Sequence, residues 1–364
     1  MRNLPRVGVM LLGGFALLAG LDAALMLLGL PAPVAAERLP ALHGGLLVLG
    51  FVGTLVAVER AVALRAPWAM GAPALLGLGA LALVSPLPLS LGHALVVAGA
   101  AMLVLVYLGL WRRQGSPALA IQVWAAVLAL GAALLWWAGA PVPVLVPWFA
   151  GFVVLTIVGE RVELSRVGSI TPGAERAVLL LASTTLVAIP VATLWPGATV
   201  ALGLGLLAIV GWLVVHDVAR RTVRGTGLPR FVAVNLLVGY AWLALAGALW
   251  ALLGPITAGA AYDAVVHAVF LGFTLAMIMA HAPIILPAVL GRPLPYRWVM
   301  YLPAALLHVT LLIRVVGGDL HGSEVALQVG GAGNIASVLL FAVVAATSSA
   351  LARPRSGPSR GPSG

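Results

Sequence analysis

The chain has 364 residues, of which 62% are hydrophobic and only 8% charged, and a formal net charge of +10. A soluble domain carries about 25% charged residues, so this composition excludes one and specifies an integral membrane protein. The basic excess comes from arginine alone, since the chain has no lysine; the collection of arginine in cytoplasmic loops explains it without nucleic acid. The absence of cysteine excludes disulfides, thiolate metal sites and covalent c-type haem attachment. Any metal must be held by His, Met or carboxylate.

Arg2 and Arg6 precede an apolar stretch of more than 20 residues that lacks a small-residue cleavage site, which predicts an uncleaved first span rather than a signal peptide. Apolar runs then recur at about 8–30, 40–64, 69–88, 91–111, 118–139, 144–165, 174–194, 197–217, 229–253, 261–288, 298–317 and 325–351. Each is long enough to cross a hydrocarbon core of about 30 Å. Pro, Gly and Ser mark the short turns, as in Ser85-Pro86-Leu87-Pro88, Gly115-Ser116-Pro117 and Trp195-Pro196-Gly197. The expected fold is an all-α polytopic membrane helix bundle of twelve spans, one transmembrane domain over residues 1–351. Residues 352–364 read as a disordered basic tail, having no core-forming content.

With the N-terminus inside, only Arg38 and Arg314 fall on the outer side, against eighteen arginines within. That asymmetry predicts both termini in the cytoplasm and an even number of spans.

An internal repeat organises the spans. Span 2 carries Gly50-Phe51 and, nine residues after the glycine, Glu59-Arg60; span 6 carries Gly151-Phe152 and Glu160-Arg161 at the same offset; span 10 carries Gly272-Phe273 and His281-Ala282. A period of four helices makes three units, expected to set spans 2, 6 and 10 in equivalent positions around a pseudo-threefold axis. The catalytic subunit of haem-copper oxidases has a similar architecture.

Ionisable groups within spans mark function by default. His43 and His267 lie near the outer ends of spans 2 and 10, at depths that differ by about 3 Å, and are expected to supply the two axial imidazoles of one haem. Arg314, at the outer end of span 11, could pair with haem propionates or act as an interfacial anchor. Span 6 has Val144 and Val146 where a third outer histidine would stand, which argues against a haem-copper pair. His281 lies fourteen residues beyond His267, which predicts a position within about 40° of the same helix face and roughly 21 Å further along it. His281 and His308, from adjacent antiparallel helices, are expected to form an inner polar site able to hold a metal ion or a second haem, or to relay protons. His93, His216 and His321 read as interfacial or solvated; Asp22 and Asn235 are buried polar groups without an obvious partner. Glu59-Arg60 and Glu160-Arg161 read as ion-pair anchors at the inner surface, with proton uptake as the alternative.

His43 followed by Gly50-Phe51, Leu271-Gly272-Phe273 after His267, and Leu290-Gly291-Arg292-Pro293-Leu294 beyond resemble the NnrS family of bacterial polytopic membrane proteins. The likeness covers about a quarter of the chain, clearest in span 2 and from span 10 into span 11. It implies bound haem and copper and a role in the nitric oxide response. The chain departs from the family's motifs at Gly45 and Leu46, where the family has His and Glu, and at Val289, where it has His; two ligands that copper would use are thereby missing. The leading expectation is therefore a haem protein of the membrane, NnrS-like, handling nitric oxide or another small gas with an electron-transfer partner. The competing readings are a transporter with His281, His308, Asp22 and Asn235 along its pathway, and an assembly factor of a respiratory complex.

Overall fold

Twelve helices are long and apolar enough to span a membrane in the computed structural model, which describes residues 4–167 and 170–352. They are α1 Arg6–Leu27, α2 Leu39–Leu64, α3 Pro67–Val84, α4 Leu89–Arg113, α5 Pro117–Trp137, α6 Val142–Arg166, α7 Pro172–Leu194, α8 Pro196–His216, α9 Gly227–Leu253, α10 Gly259–Val289, α11 Trp298–Leu320 and α12 Glu324–Ala350. Among the described residues there is no strand, and the protein is an all-α, multi-pass bundle. The boundaries match the apolar runs to within a few residues. The tail predicted from residue 352 lies, from 353 onward, outside the described residues.

Local chemistry fixes the helix ends. Pro117 and Pro172 stand in the first turn of α5 and α7, where no intrahelical N–H bond is lost. The Ser116 and Thr171 hydroxyls before them accept from the N–H groups of Leu119 and Ala174 at 3.2 and 3.3 Å, and Ser323 caps α12 the same way at 3.2 Å. Gly291, at φ +66°, ends α10 in the left-handed region that glycine adopts without strain.

The helices that carry the repeat are the interior ones. Their most apolar windows are 72% buried in α2, 72% in α6 and 56% in α10, against 28–50% for every other helix, so these three form the centre and the other nine surround them. The motif glycines explain how. A Cβ on Gly50 would come within 3.0 Å of Ala80 and 3.1 Å of Ala16; on Gly151 it would meet Ile189 at 2.3 Å and Leu128 at 2.7 Å; on Gly272 it would meet Trp242 at 2.3 Å. In each unit the glycine thus sits where the central helix is pressed against its sequence neighbours. The repeated Gly-Phe is a packing device, which suits membrane helices held by close contact rather than by hydrophobic drive. Phe51, Phe152 and Phe273 beside them are all buried.

Two of the three central helices are not regular. Leu46–Gly53 in α2 and Ala268–Leu275 in α10 widen into π-helix, as does Ile313–Leu320 in α11, whereas α6 stays α-helical throughout. Gly-Phe occupies the fifth and sixth positions of both central π segments. In α10 the Thr274 hydroxyl donates to the Val269 carbonyl five residues back at 2.9 Å. A π turn absorbs one extra residue and so rotates everything beyond it by about 100°. The regular helix expected from sequence would hold His267 and His281 about 40° apart; with the π turn between them they point roughly 140° apart.

Candidate functional site

The outer site joins α2, α10 and α11. His43 comes from the first turns of α2, just before its π segment, and its Nδ1–H donates across to the Gly20 carbonyl of α1 at 2.9 Å. His267 stands immediately before the π segment of α10, with Nδ1–H donating to the Asp263 carbonyl at 2.8 Å. His43 lies within direct electrostatic reach of His267, Asp263 and Arg314, so the structure brings together the two histidines expected to act as a pair. In both rings Nδ1–H is spent on a backbone carbonyl, which leaves Nε2 as the unengaged nitrogen, and neither Nε2 has a hydrogen-bond partner among the described residues.

Asp263, which the sequence reading did not single out, organises this site. Arg314 Nε donates to its Oδ2 and Nη2 to its Oδ1, both at 2.7 Å, as a planar bidentate pair. Asp263 Oδ1 also lies 3.2 Å from His267 Nδ1. Arg314 is therefore neither an interfacial anchor nor free for a propionate along that edge: it is buried, and it acts on His267 through Asp263. Gly330 and Gly331 of α12 make room for it, since a Cβ at either would come within 2.7 or 2.6 Å of the Arg314 side chain. The missed signal was the spacing of Asp263 and His267, four residues apart and so on one helix face. Asp319 lies against Asp263 at the rim of the same cluster.

The inner site is built differently from what the sequence suggested. Arg161 of α6 donates from Nε and Nη2 to the Asp217 carboxylate at 2.6 and 2.7 Å, Tyr240 donates to the same carboxylate at 2.5 Å, and the Ala219 N–H at 2.7 Å. Burial alone would raise the pKa of Asp217, but the hydrogen bonds and charge of Arg161 outweigh it and hold the carboxyl below its ordinary range. Arg161 Nη1 then donates to His281 Nε2 at 3.4 Å, while His281 Nδ1–H donates to the Met277 carbonyl at 2.8 Å.

His281 and His308 do not form the expected pair. The Trp242 indole N–H donates to His308 Nδ1 at 3.2 Å, which places the His308 proton on Nε2, a buried atom with no partner among the described residues. Neither ring thus offers a lone pair to a metal, since Arg161 occupies one and Trp242 the other. The physical reason is the π turn, which swings His281 away from α11 and toward α6. Among the described residues no three His, Asp or Glu side chains converge as a metal-ion site.

The remaining polar residues are dispersed. Asp22 accepts from the Val34 N–H at 3.1 Å and holds the α1–α2 turn; Asn235 donates to the Phe231 carbonyl of its own helix at 2.9 Å. His93 meets the Trp136 ring edge-on and His216 stacks on Trp212. His321 donates to the Val316 carbonyl. The residues a transporter pathway would need therefore have separate partners. The adjacent Glu160 and Arg161 do not pair with one another either, because neighbours in a helix point apart: Glu160 faces Arg60 at 3.5 Å, and Arg161 faces Asp217.

No curated protein and no solved structure matches the chain. A family profile covers residues 6–350, all twelve spanning helices and both sites within them. The chain belongs to the family described as Domain of unknown function (DUF8744).

Proposed function

We propose that the protein binds haem between α2 and α10, with His43 and His267 as the axial ligands, and works in redox or gas-ligand chemistry of the nitric oxide response, as its NnrS-like motifs imply. The observation that carries this reading is the state of the two rings. Each donates Nδ1–H to a backbone carbonyl, which fixes the tautomer and orients Nε2 as the ligand atom. The donor set fits a haem iron: two imidazoles from different helices, each with Nε2 unengaged and brought within electrostatic reach, beside a carboxylate that steadies one of them. Bound there, haem would supply a one-electron centre or a site where a small gas displaces a ligand. The chain's own part is to hold the rings, through Gly20 and Asp263. Copper is not part of the proposal, since His281 and His308 are committed elsewhere. The accompanying topology is that of a bacterial inner-membrane protein with both termini in the cytoplasm.

Absorption spectra of protein purified from haem-sufficient cells test this. The expected result is a Soret band with reduced-state peaks of bis-imidazole haem, lost in His43→Ala and in His267→Ala and retained in His321→Ala. Colourless wild-type protein, or an unchanged spectrum in both outer variants, would refute it.

A further inference from the structure

The joints between the repeated units differ at their inner ends. Arg60 of the first unit reaches Glu160 of the second at 3.5 Å, and Arg161 of the second reaches His281 of the third at 3.4 Å. Each arginine therefore crosses to the position that follows the motif glycine by nine residues in the next unit. The third unit has Ala282 in place of the arginine and makes no such link.

The second joint is closed. Arg161, Asp217, Tyr240 and His281 satisfy one another, and none leaves a buried polar atom without a partner. The first joint is not. Arg60 Nη1 donates to Gln122 Oε1 at 3.2 Å and Nη2 pairs with Glu59, but Arg60 Nε, Gln122 Nε2 and Tyr107 Oη are buried with no acceptor among the described residues. Gln122 and Tyr107 are 0% exposed, so lipid and bulk water reach neither. A buried donor left without an acceptor carries its full desolvation penalty, and ordered water is the usual partner of such groups. Two carboxylates, Glu59 and Glu160, also face one guanidinium, an excess of negative charge that a bound proton would balance. Glu160 has around it Glu59 and Arg60 from α2, Tyr107 from α4, Gln122 from α5, and Arg161 and Glu163 from α6. Arg161 is spent on Asp217, and Glu163 is exposed one turn nearer the inner face.

We propose that this joint is a proton-exchange site, in which Glu160 takes a proton from the inner aqueous phase by way of Glu163, and ordered waters accept from Arg60 Nε, Gln122 Nε2 and Tyr107 Oη. The step is a proton transfer: a hydronium loses the proton, a Glu160 oxygen gains it, and no electron moves. The site does not depend on haem and stands or falls separately from it.

Infrared pH-difference spectra of the full chain in lipid nanodiscs, in H₂O and D₂O, test the proposal. The expected result is a protonated-carboxyl C=O component, isolated as the difference between wild type and Glu160→Gln, that grows on acidification, shifts in D₂O and is retained in Glu163→Gln. Tyr107→Phe, which removes only the hydroxyl, should move the midpoint of that band. Identical pH-difference spectra of wild type and Glu160→Gln in the protonated-carboxyl region overturn the proposal. Should Glu160→Gln fail to fold, an unmoved midpoint in both Tyr107→Phe and Gln122→Leu overturns it, and a moved one supports it.

Discussion

His267 and His281 stand on one helix, and each donates Nδ1–H to the carbonyl four residues before it at 2.8 Å. Their outer edges differ. His267 leaves Nε2 without a protein partner among the described residues, whereas Arg161 donates into Nε2 of His281. The same local bond thus prepares one ring to receive a ligand and the other to receive a protein hydrogen bond. What separates them is the neighbour brought in by the fold: a second histidine at the outer end, a guanidinium already neutralised by Asp217 at the inner end. A carboxylate–arginine pair supports each ring, but Asp263 sits between Arg314 and His267, while Arg161 sits between Asp217 and His281.

The strongest way to break this comparison is to remove the inner carboxylate. Asp217→Ala leaves Arg161 buried and uncompensated, which should cost about 3–5 kcal/mol of stability, read as a lower unfolding midpoint in detergent; the outer rings should keep their arrangement in whatever fraction folds. A shift of under 1 kcal/mol would mean that water reaches Arg161.

Next in size are the motif glycines. Gly272→Ala and Gly151→Ala put a methyl where 2.3 Å is available, and overpacking of that kind costs about 1–3 kcal/mol. Gly272→Ala should in addition disturb His267, because it lies in the π segment that follows that ring. Gly151→Ala, in a regular helix, should lower thermal stability without touching either histidine, and comparing the two by unfolding and by the state of the outer site separates packing from positioning.

His281→Ala should cost about 1 kcal/mol, the worth of an ordinary hydrogen bond, and leave every property of the outer site unchanged. An outer-site change as large as that in His267→Ala would show that the two rings are coupled along α10.

The smallest effect is that of pH on Asp217. Its carboxyl is held below its ordinary range, so the stabilisation is fully present above the unfolded-state value of about 3.9. It is lost only as pH falls through the lower folded-state value. Stability should therefore decline on strong acidification in the wild type, and Asp217→Asn should flatten that decline in acid unfolding curves.

Much of the fold was legible in the residues themselves. Spans are set by length and apolar content, because a backbone in lipid must satisfy its own hydrogen bonds and so forms whole helices; the twelve runs needed no tertiary information. The Gly-Phe repeat was legible for the same kind of reason, since a side chain at Gly50, Gly151 or Gly272 has nowhere to go. That His43 and His267 come near one another was legible from their matched depth on helices equivalent in the repeat.

Direction around the axis was decided only by the tertiary structure. The π turns of α2 and α10 rotate what lies beyond them: counting at 100° per residue put His281 on the face of His267, and similar depth on adjacent antiparallel helices paired it with His308, whereas the fold gives His281 to Arg161 and His308 to Trp242. Arg161 and Asp217 are 56 residues apart, and no periodicity joins them; neighbouring Glu160 seemed the nearer partner in sequence and points elsewhere. Asp263 lay between these cases, marked by its spacing from His267 but recognisable as the centre of the outer site only once Arg314, from another helix, had closed on it. The sequence determined which groups enter the membrane and how deep, because hydrophobicity and length act locally along one helix. Which group meets which was left to packing, where a single added residue in a helical turn exchanges one set of neighbours for another.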